Sequence, residues 1–252
     1  MELVAAFGGG SFVLASLVLG GRLMLLARKT RGMPEFVLGF GLFIMGGLGY
    51  PLMGVAQQAT GLDLGVRIAM IVTQMLFAGV GMTGITLFTR RVFRPQERWA
   101  AWTTPLCAGA YLVLLLLQGL GAGFAATLGG SGIWFHSTYI GIAVMGWTGW
   151  ESLRYHGLMR RRLAIGIADP VVVDRFRLWA ISMFAAAAIS TIGVLLQRIF
   201  GISINGTTAG HLLVGPLGLV ISISLWLAFL PPAGYLERVR RRASLTPASA
   251  AG

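Results

Sequence analysis

The chain has 252 residues, of which 56% are hydrophobic and only 11% are charged. Soluble domains carry about 25% charged residues, so this composition argues against an ordinary soluble enzyme and indicates a lipid bilayer as the surroundings. The net charge of +12 does not indicate a nucleic-acid partner, because the basic residues form short clusters between apolar runs and not one basic face.

The apolar runs predict an all-α, polytopic membrane bundle of seven transmembrane helices. About 20 apolar residues are needed to cross the hydrocarbon layer, which is about 30 Å thick. Seven segments are long enough: 3–27, 34–56, 66–89, 99–120, 133–151, 175–198 and 209–230. The fourth, with "YLVLLLLQGL" at its centre, is the most plainly lipophilic of them.

The basic residues predict how the chain is threaded. Eighteen of the 20 fall in the loops and ends that follow segments one, three, five and seven, and only Arg67 and Arg198 fall on the other side. Positive charge is retained on the cytoplasmic side, so we expect the N-terminus outside and the C-terminus inside. A signal peptide needs positive charge before its apolar core, whereas here Glu2 comes first and the basic residues come at the far end of the first apolar run. We therefore expect a permanent helix there and not a cleaved signal peptide.

The first 242 residues are predicted to form this transmembrane domain, and residues 243–252 are predicted to be a disordered cytoplasmic tail. The 19 arginines against one lysine are typical of a GC-rich bacterial genome, so we expect a bacterial inner membrane. After Pro231-Pro232, Tyr235 and its neighbours could form a short amphipathic helix on the inner leaflet.

Several helix ends carry recognisable signals. Pro34 and Pro170 suit the first turn of a helix, where an amide hydrogen would be unpaired anyway, and Asp169 is a candidate N-cap. Asp63 and Arg67 lie four residues apart, which predicts a local ion pair. The glycines of "GFGLFIMGGLGYPLMG" predict close packing of the second helix against its neighbours, with a ligand-gated flexible segment as the alternative.

Most signatures of catalysis are missing from the sequence. It has no Walker-type loop, no H-E-x-x-H, no G-x-S-x-G and no kinase signature, which argues against an enzyme. An integral-membrane enzyme stays an alternative for which the sequence indicates no residues. The single cysteine, Cys107, allows no disulfide within the chain and is expected to be a small buried hydrophobe. No carboxylate lies near the centre of a predicted helix, which argues against a proton pump or an ion-coupled carrier.

The predicted helix number and orientation resemble those of opsins and G-protein-coupled receptors. A retinal Schiff base would need a lysine in the seventh helix, and the only lysine is Lys29, so we expect no retinal. The stretches "RGMPEFVLGFGLFIMGGLGYPL" and "ESLRYHGLMRRRLAIGIADPVVVDRF" resemble segments of functionally uncharacterised bacterial seven-transmembrane proteins, which implies no particular activity. Helices one to three and five to seven around helix four also resemble the parallel halves of the sugar-transporting SWEET family, which implies small-solute transport.

Polar side chains gather at the predicted outer ends of the helices. His136 and His211 lie about one turn inside the outer ends of helices five and seven, and intramembrane polar residues usually face the bundle interior or a wet cavity. The predicted ligand-binding residues are His136, His211, Gln74, Arg67, Trp134 and Gln197. They favour a sensor or receptor-like protein with a small-ligand pocket open to the outer side.

Three alternatives stay open for this cluster. His, Trp and Tyr are common at a bilayer interface without any ligand. His136 and His211 could instead hold a metal, or ligate a haem iron axially. A small-solute facilitator would also use an outward-facing polar pocket. On the inner side, the 151–177 connection is the longest, and its charges are either solvated or a docking surface for a cytoplasmic partner.

Overall fold

The computed structural model describes residues 2–129, 132–201 and 208–245, and the side chains of 8–128, 132–201 and 214–244. Within these residues the fold is all-α, as expected, with eight helices and two short 3₁₀ turns, Phe124–Gly129 and Ile133–His136. The helices are α1 (Glu2–Thr30), α2 (Met33–Gln58), α3 (Leu64–Phe93), α4 (Arg98–Leu120), α5 (Ser137–Ala164), α6 (Pro170–Phe200), α7 (Thr208–Phe229) and α8 (Ala233–Leu245).

Six of these helices form a closed ring. In order around the ring, α1 packs against α2, α2 against α3, α3 against α5, α5 against α6, α6 against α7, and α7 against α1. Helix α4 lies outside the ring and packs mainly on α3. Its apolar side chains are correspondingly exposed, with Trp102 68% and Leu106 67% accessible. The most lipophilic helix is therefore the one with the least protein around it.

The basic clusters meet at one end of the bundle, which we call the basic end. Arg94, which follows α3, bonds Glu151 of α5, and Tyr235 of α8 donates to Asp174 of α6. At the opposite end, Arg198 of α6 contacts Tyr139 at the start of α5. The grouping of the basic residues that the sequence predicted is thus visible in the packing of the helix ends.

Close backbone contacts hold α1, α2, α3 and α7 together at glycines, as the sequence predicted. A Cβ built on Gly8 would lie 2.6 Å from the carbonyl oxygen of Gly215, and one on Gly20 would lie 2.7 Å from that of Gly39. Gly41 of α2 similarly faces Gly81 of α3. In lipid, small residues allow helices to approach closely and gain van der Waals contact, because no hydrophobic effect drives their association.

Helix α2 contains an unpredicted π-helical stretch, Leu42–Gly49, between two α-helical parts. The amide of Tyr50 donates to the carbonyl of Met45, five residues back. Pro51 follows directly and has no amide hydrogen to continue the ladder. A Cβ on Gly47 would lie 2.5 Å from Leu17, so the wider turn brings its glycines against α1.

The described helices do not by themselves confirm the seven predicted membrane spans. Within the described part of the chain, five helices are long and apolar enough to span a membrane, or up to six if α7 and α8, bent by 79°, count as one span. Helix α5 is not among them, because it carries a polar stripe that includes Thr148, Glu151 and Ser152. The fold therefore supports a multi-pass membrane bundle.

One expectation about the helix boundaries is wrong. Helix α5 continues to Ala164, so the predicted 151–177 connection is mainly helix, with only 165–169 between α5 and α6. A charged sequence remains helical there because Leu, Arg and Met are good helix formers. Helix α8 continues through Leu245, three residues into the predicted tail, and residues from 246 onward lie outside the described part.

The capping signals predicted at Asp169 and Pro170 are confirmed. Asp169 accepts a hydrogen bond from the amide of Val171, at 2.8 Å, and α6 begins at Pro170 as expected. The predicted ion pair between Asp63 and Arg67 is wrong. Asp63 caps α3 through the amide of Gly65, while Arg67 Nε donates to the carbonyl of Ala56 at 2.8 Å.

The glycine contacts predict a position-specific cost of adding one methyl group. We expect Gly20→Ala to lower the free energy of unfolding by about 1–3 kcal/mol, since the new Cβ meets the backbone of α2. Gly21→Ala is the matched control, because a Cβ there meets nothing within 4 Å. Thermal unfolding in detergent micelles measures both, and an equal effect at the two positions would contradict the packing described.

Candidate functional site

A cluster of three polar side chains from α5 and α6 lies at the opposite end of the bundle. Gly132, with φ of +101°, turns the chain into the 3₁₀ turn that carries His136. His136 Nδ1 lies 3.0 Å from the carbonyl oxygen of Ile133, and its Nε2 lies 3.3 Å from Nη2 of Arg198. Because a guanidinium can only donate, Nε2 is the acceptor and Nδ1 carries the hydrogen.

Arg198 is held on two further sides. Its Nε donates to the hydroxyl of Tyr139 at 3.2 Å, and its guanidinium carbon lies 5.5 Å from the centre of the Phe135 ring. None of the ion pairs among the described residues includes Arg198. The guanidinium is exposed, so this end of α5 and α6 presents a positive charge that is positioned but not neutralised by a carboxylate.

The other predicted residues have contacts of their own in the described part of the chain. Arg67 is bonded to the end of α2, and the side-chain oxygen of Gln74 is buried without a hydrogen-bond partner. Trp134 is buried against Tyr111, with ring centres 5.7 Å apart. Gln197 contributes its carbonyl to the amide of Gly201 at the end of α6. No described contact joins any of these four side chains to His136.

His211 lies in the first turns of α7, and its side chain is outside the described residues. Whether it faces His136 therefore stays a prediction, and so does a shared metal or haem. Among the described side chains, no group of three or more His, Cys, Asp and Glu is arranged to hold a metal ion. Cys107 is buried and unpaired, as expected.

Gln118 holds the chain segment that leads into the turn carrying His136, a role that the sequence did not predict. It is completely buried, its Nε2 donates to the carbonyl of Gly123 at 2.6 Å, and its Oε1 accepts from the amide of Trp134 at 2.9 Å. It thereby ties both ends of the connection between α4 and α5 to the end of α4. The available signal was a single amide in the apolar run "LLLLQGL", since such residues seek protein partners.

A buried ion pair lies at the basic end. Glu151 of α5 is only 2% exposed, its Oε1 is 2.8 Å from Arg94 Nε, and its Oε2 is 3.4 Å from Nη1 of Arg154. Arg94 also lies over the ring of Trp99, 5.9 Å from its centre. The expectation that Glu151 is solvated is therefore wrong. A carboxylate can be buried in this way only because a guanidinium compensates its charge.

Hydroxyl groups continue this polar contact into the interface of α3 and α5. The Oγ1 atoms of Thr89 and Thr148 are 2.8 Å apart, and both side chains are fully buried. One hydroxyl donates to the other, which then donates to the carbonyl one turn back in its own helix. Ser152 donates to the carbonyl of Thr148. The polar stripe of α5 is thus satisfied inside the protein.

The buried ion pair predicts unequal effects of removing its two arginines. We expect Arg94→Ala to lower the free energy of unfolding by about 3–5 kcal/mol, because Glu151 would be left buried without its main partner. Arg154→Ala, whose side chain is 45% exposed, should change it by less than about 1 kcal/mol. Replacing Arg94 and Glu151 together by Met should recover most of the loss. Detergent denaturation curves of the four proteins measure these differences, and equal effects of the two single variants would contradict this assignment.

Comparisons with protein-family models, with curated proteins and with solved structures find no match to this chain. The function is therefore argued from geometry. Two arrangements carry it: the exposed cluster of His136, Tyr139 and Arg198 at one end of α5 and α6, and the buried pair of Glu151 and Arg94 at the other end.

Proposed function

We propose that this chain is a seven-helix, receptor-like protein of a bacterial inner membrane that binds a small anionic ligand from the outer side. Its apolar helices are compatible with an integral membrane protein that contacts lipid on most of its surface. The proposal takes α5 and α7 as spans as well, because each completes the ring beside helices that qualify by length and composition.

The orientation follows from the charges. In bacterial membranes, short loops rich in arginine and lysine stay in the cytoplasm. The basic end collects the arginines at the C-terminal ends of α1, α3 and α5, those at the start of α6 and those of α8, so we assign it to the cytoplasm. The cluster of His136, Tyr139 and Arg198 then faces the outside.

Reporter fusions test this threading. We expect a periplasmic reporter such as alkaline phosphatase to be active when it is fused after residue 125, and a fluorescent cytoplasmic reporter to be active after residue 165. The physical reason is that α5 must cross the bilayer between these two points. If both fusions report the same side, α5 does not cross, and the seven-helix threading is wrong.

The observation that carries the ligand proposal is the charge of Arg198, which no carboxylate among the described side chains compensates. A guanidinium that Tyr139 and His136 hold in one orientation retains further N–H groups for a carboxylate or a similar anion. A carboxylate can accept two parallel hydrogen bonds from one arginine, which supplies geometric specificity as well as charge. The ligand class is therefore a small organic anion.

The receptor-like role is supported by side-chain contacts that α5 and α6 make towards the basic end of the bundle. Helix α5 carries Tyr139 at the ligand end and Glu151 towards the basic end. Helix α6 carries Arg198 at one end and Asp174, which holds Tyr235 of α8, at the other. A ligand that changes the spacing of α5 and α6 would act on both cytoplasmic contacts. The helical segment after Glu151 and helix α8 are the surfaces we propose for a cytoplasmic partner.

Ligand-dependent thermal shifts test the site. We expect small mono- and dicarboxylates, screened at millimolar concentration, to include at least one that stabilises the purified protein, since a ligand that binds only the folded state raises its stability. Arg198→Gln should abolish this shift, and His136→Ala should reduce it. Arg67→Gln is the control, because Arg67 is already bonded to Ala56.

Loss of the shift in Arg67→Gln as well would support the wider pocket that includes Arg67 and Gln74. An unchanged shift in Arg198→Gln would remove the proposed site. The same series in a chloride background separates a specific carboxylate site from general screening of the positive end.

A further inference from the structure

A groove between α1, α6 and α7 at the basic end combines apolar walls with two arginines. Its volume is about 270 Å³. Its lining residues are Leu19, Arg22, Leu23, Leu26, Arg175, Phe229 and Leu230. Small-molecule pockets begin at about 300 Å³, so the groove suits a headgroup or part of an acyl chain better than a whole lipid.

The two guanidinium groups have no carboxylate to neutralise them. Neither Arg22 nor Arg175 belongs to an ion pair among the residues that the structure describes. The nearest acid in sequence, Asp174, is already held by Arg177, at 2.6 Å, and by Tyr235. Two positive charges therefore border one groove with apolar residues on its walls.

A buried donor lies in the same region of the fold. Trp179, one turn along α6 from Arg175, is 4% exposed, and its indole Nε1 has no hydrogen-bond partner in the protein. Its ring packs edge-on against Phe229, which lines the groove, with centres 5.4 Å apart. A buried N–H group normally finds an acceptor, and none of the described residues supplies one to Trp179.

We infer that this groove binds an anionic phospholipid of the cytoplasmic leaflet, with its phosphate between Arg22 and Arg175 and an acyl chain along Leu26 and Phe229. A free anion would use the two arginines but not the apolar walls, whereas a zwitterionic lipid would use the walls but gain less from the charges. At Pro231-Pro232, directly after the groove residues Phe229 and Leu230, the chain bends by 79° from α7 into α8. The assignment requires the basic end to be cytoplasmic, but it does not depend on a ligand at Arg198.

Lipid titration of the detergent-purified full chain tests this site. We expect phosphatidylglycerol to bind at least about tenfold more tightly than phosphatidylcholine with the same acyl chains, because each arginine near an anionic lipid contributes about 1 kcal/mol. Arg22→Gln/Arg175→Gln should remove that preference. Arg160→Gln/Arg161→Gln is the matched control, because it removes the same charge from exposed positions outside the groove. Native mass spectrometry counts the bound lipids, and thermal shifts give the affinities.

The outcomes separate the possible sources of the anion. Binding of inorganic phosphate or glycerol phosphate as tight as that of the lipid would overturn the lipid assignment in favour of a soluble anion. An equal loss in the two double variants would overturn the groove in favour of general charge attraction. Retention of the phosphatidylglycerol preference in Arg22→Gln/Arg175→Gln would overturn the groove as the binding site, because the preference would then not depend on its two arginines.

Discussion

Polar groups that enter an apolar bundle must find their partners inside the protein, and this constraint determines the order of the helices. Lipid offers neither hydrogen bonds nor counter-ions, so an unsatisfied polar side chain there is costly. Helix α5, which carries Thr148, Ser152 and Glu151, lies within the ring between α3 and α6. Helix α4, with its run of leucines, lies outside it, and its only fully buried polar side chain, Gln118, is at its end. The position of each helix thus follows the amount of polar surface it must bury.

The same constraint explains which features could be predicted from the sequence. Helix positions and the grouping of basic residues depend on local composition, so they were predicted to within a few residues for most helices. The glycine contacts of α1 and α2 also followed from composition, since small residues in lipid have few other uses. These features need no knowledge of which helix lies beside which.

The ring order, the external position of α4 and the burial of Glu151 could not be predicted in this way. A carboxylate near a helix end has the same sequence pattern whether it is solvated or paired. Only the position of Arg94, in the loop between α3 and α4, distinguishes the two cases. The contacts of the candidate site residues could not be predicted for a similar reason. The sequence gives the depth of His136 and Arg67 along their helices, but not that His136 contacts Arg198 or that Arg67 bonds the carbonyl of Ala56.

The arginines of this chain serve different purposes that their sequence positions do not distinguish. Eight acidic residues cannot neutralise 20 basic ones, so many positive charges must be compensated from outside the chain. Arg94 uses its charge to bury a carboxylate, whereas Arg22, Arg175 and Arg198 have no ion pair among the described residues. Arg198 is in addition held by Tyr139 and His136, and a positive charge held in place by neighbours is more attractive to an anion than a mobile one, because less side-chain freedom is lost on binding. The excess of arginine is therefore both the basis of the proposed orientation and the source of the two candidate anion sites, one at each end of α6.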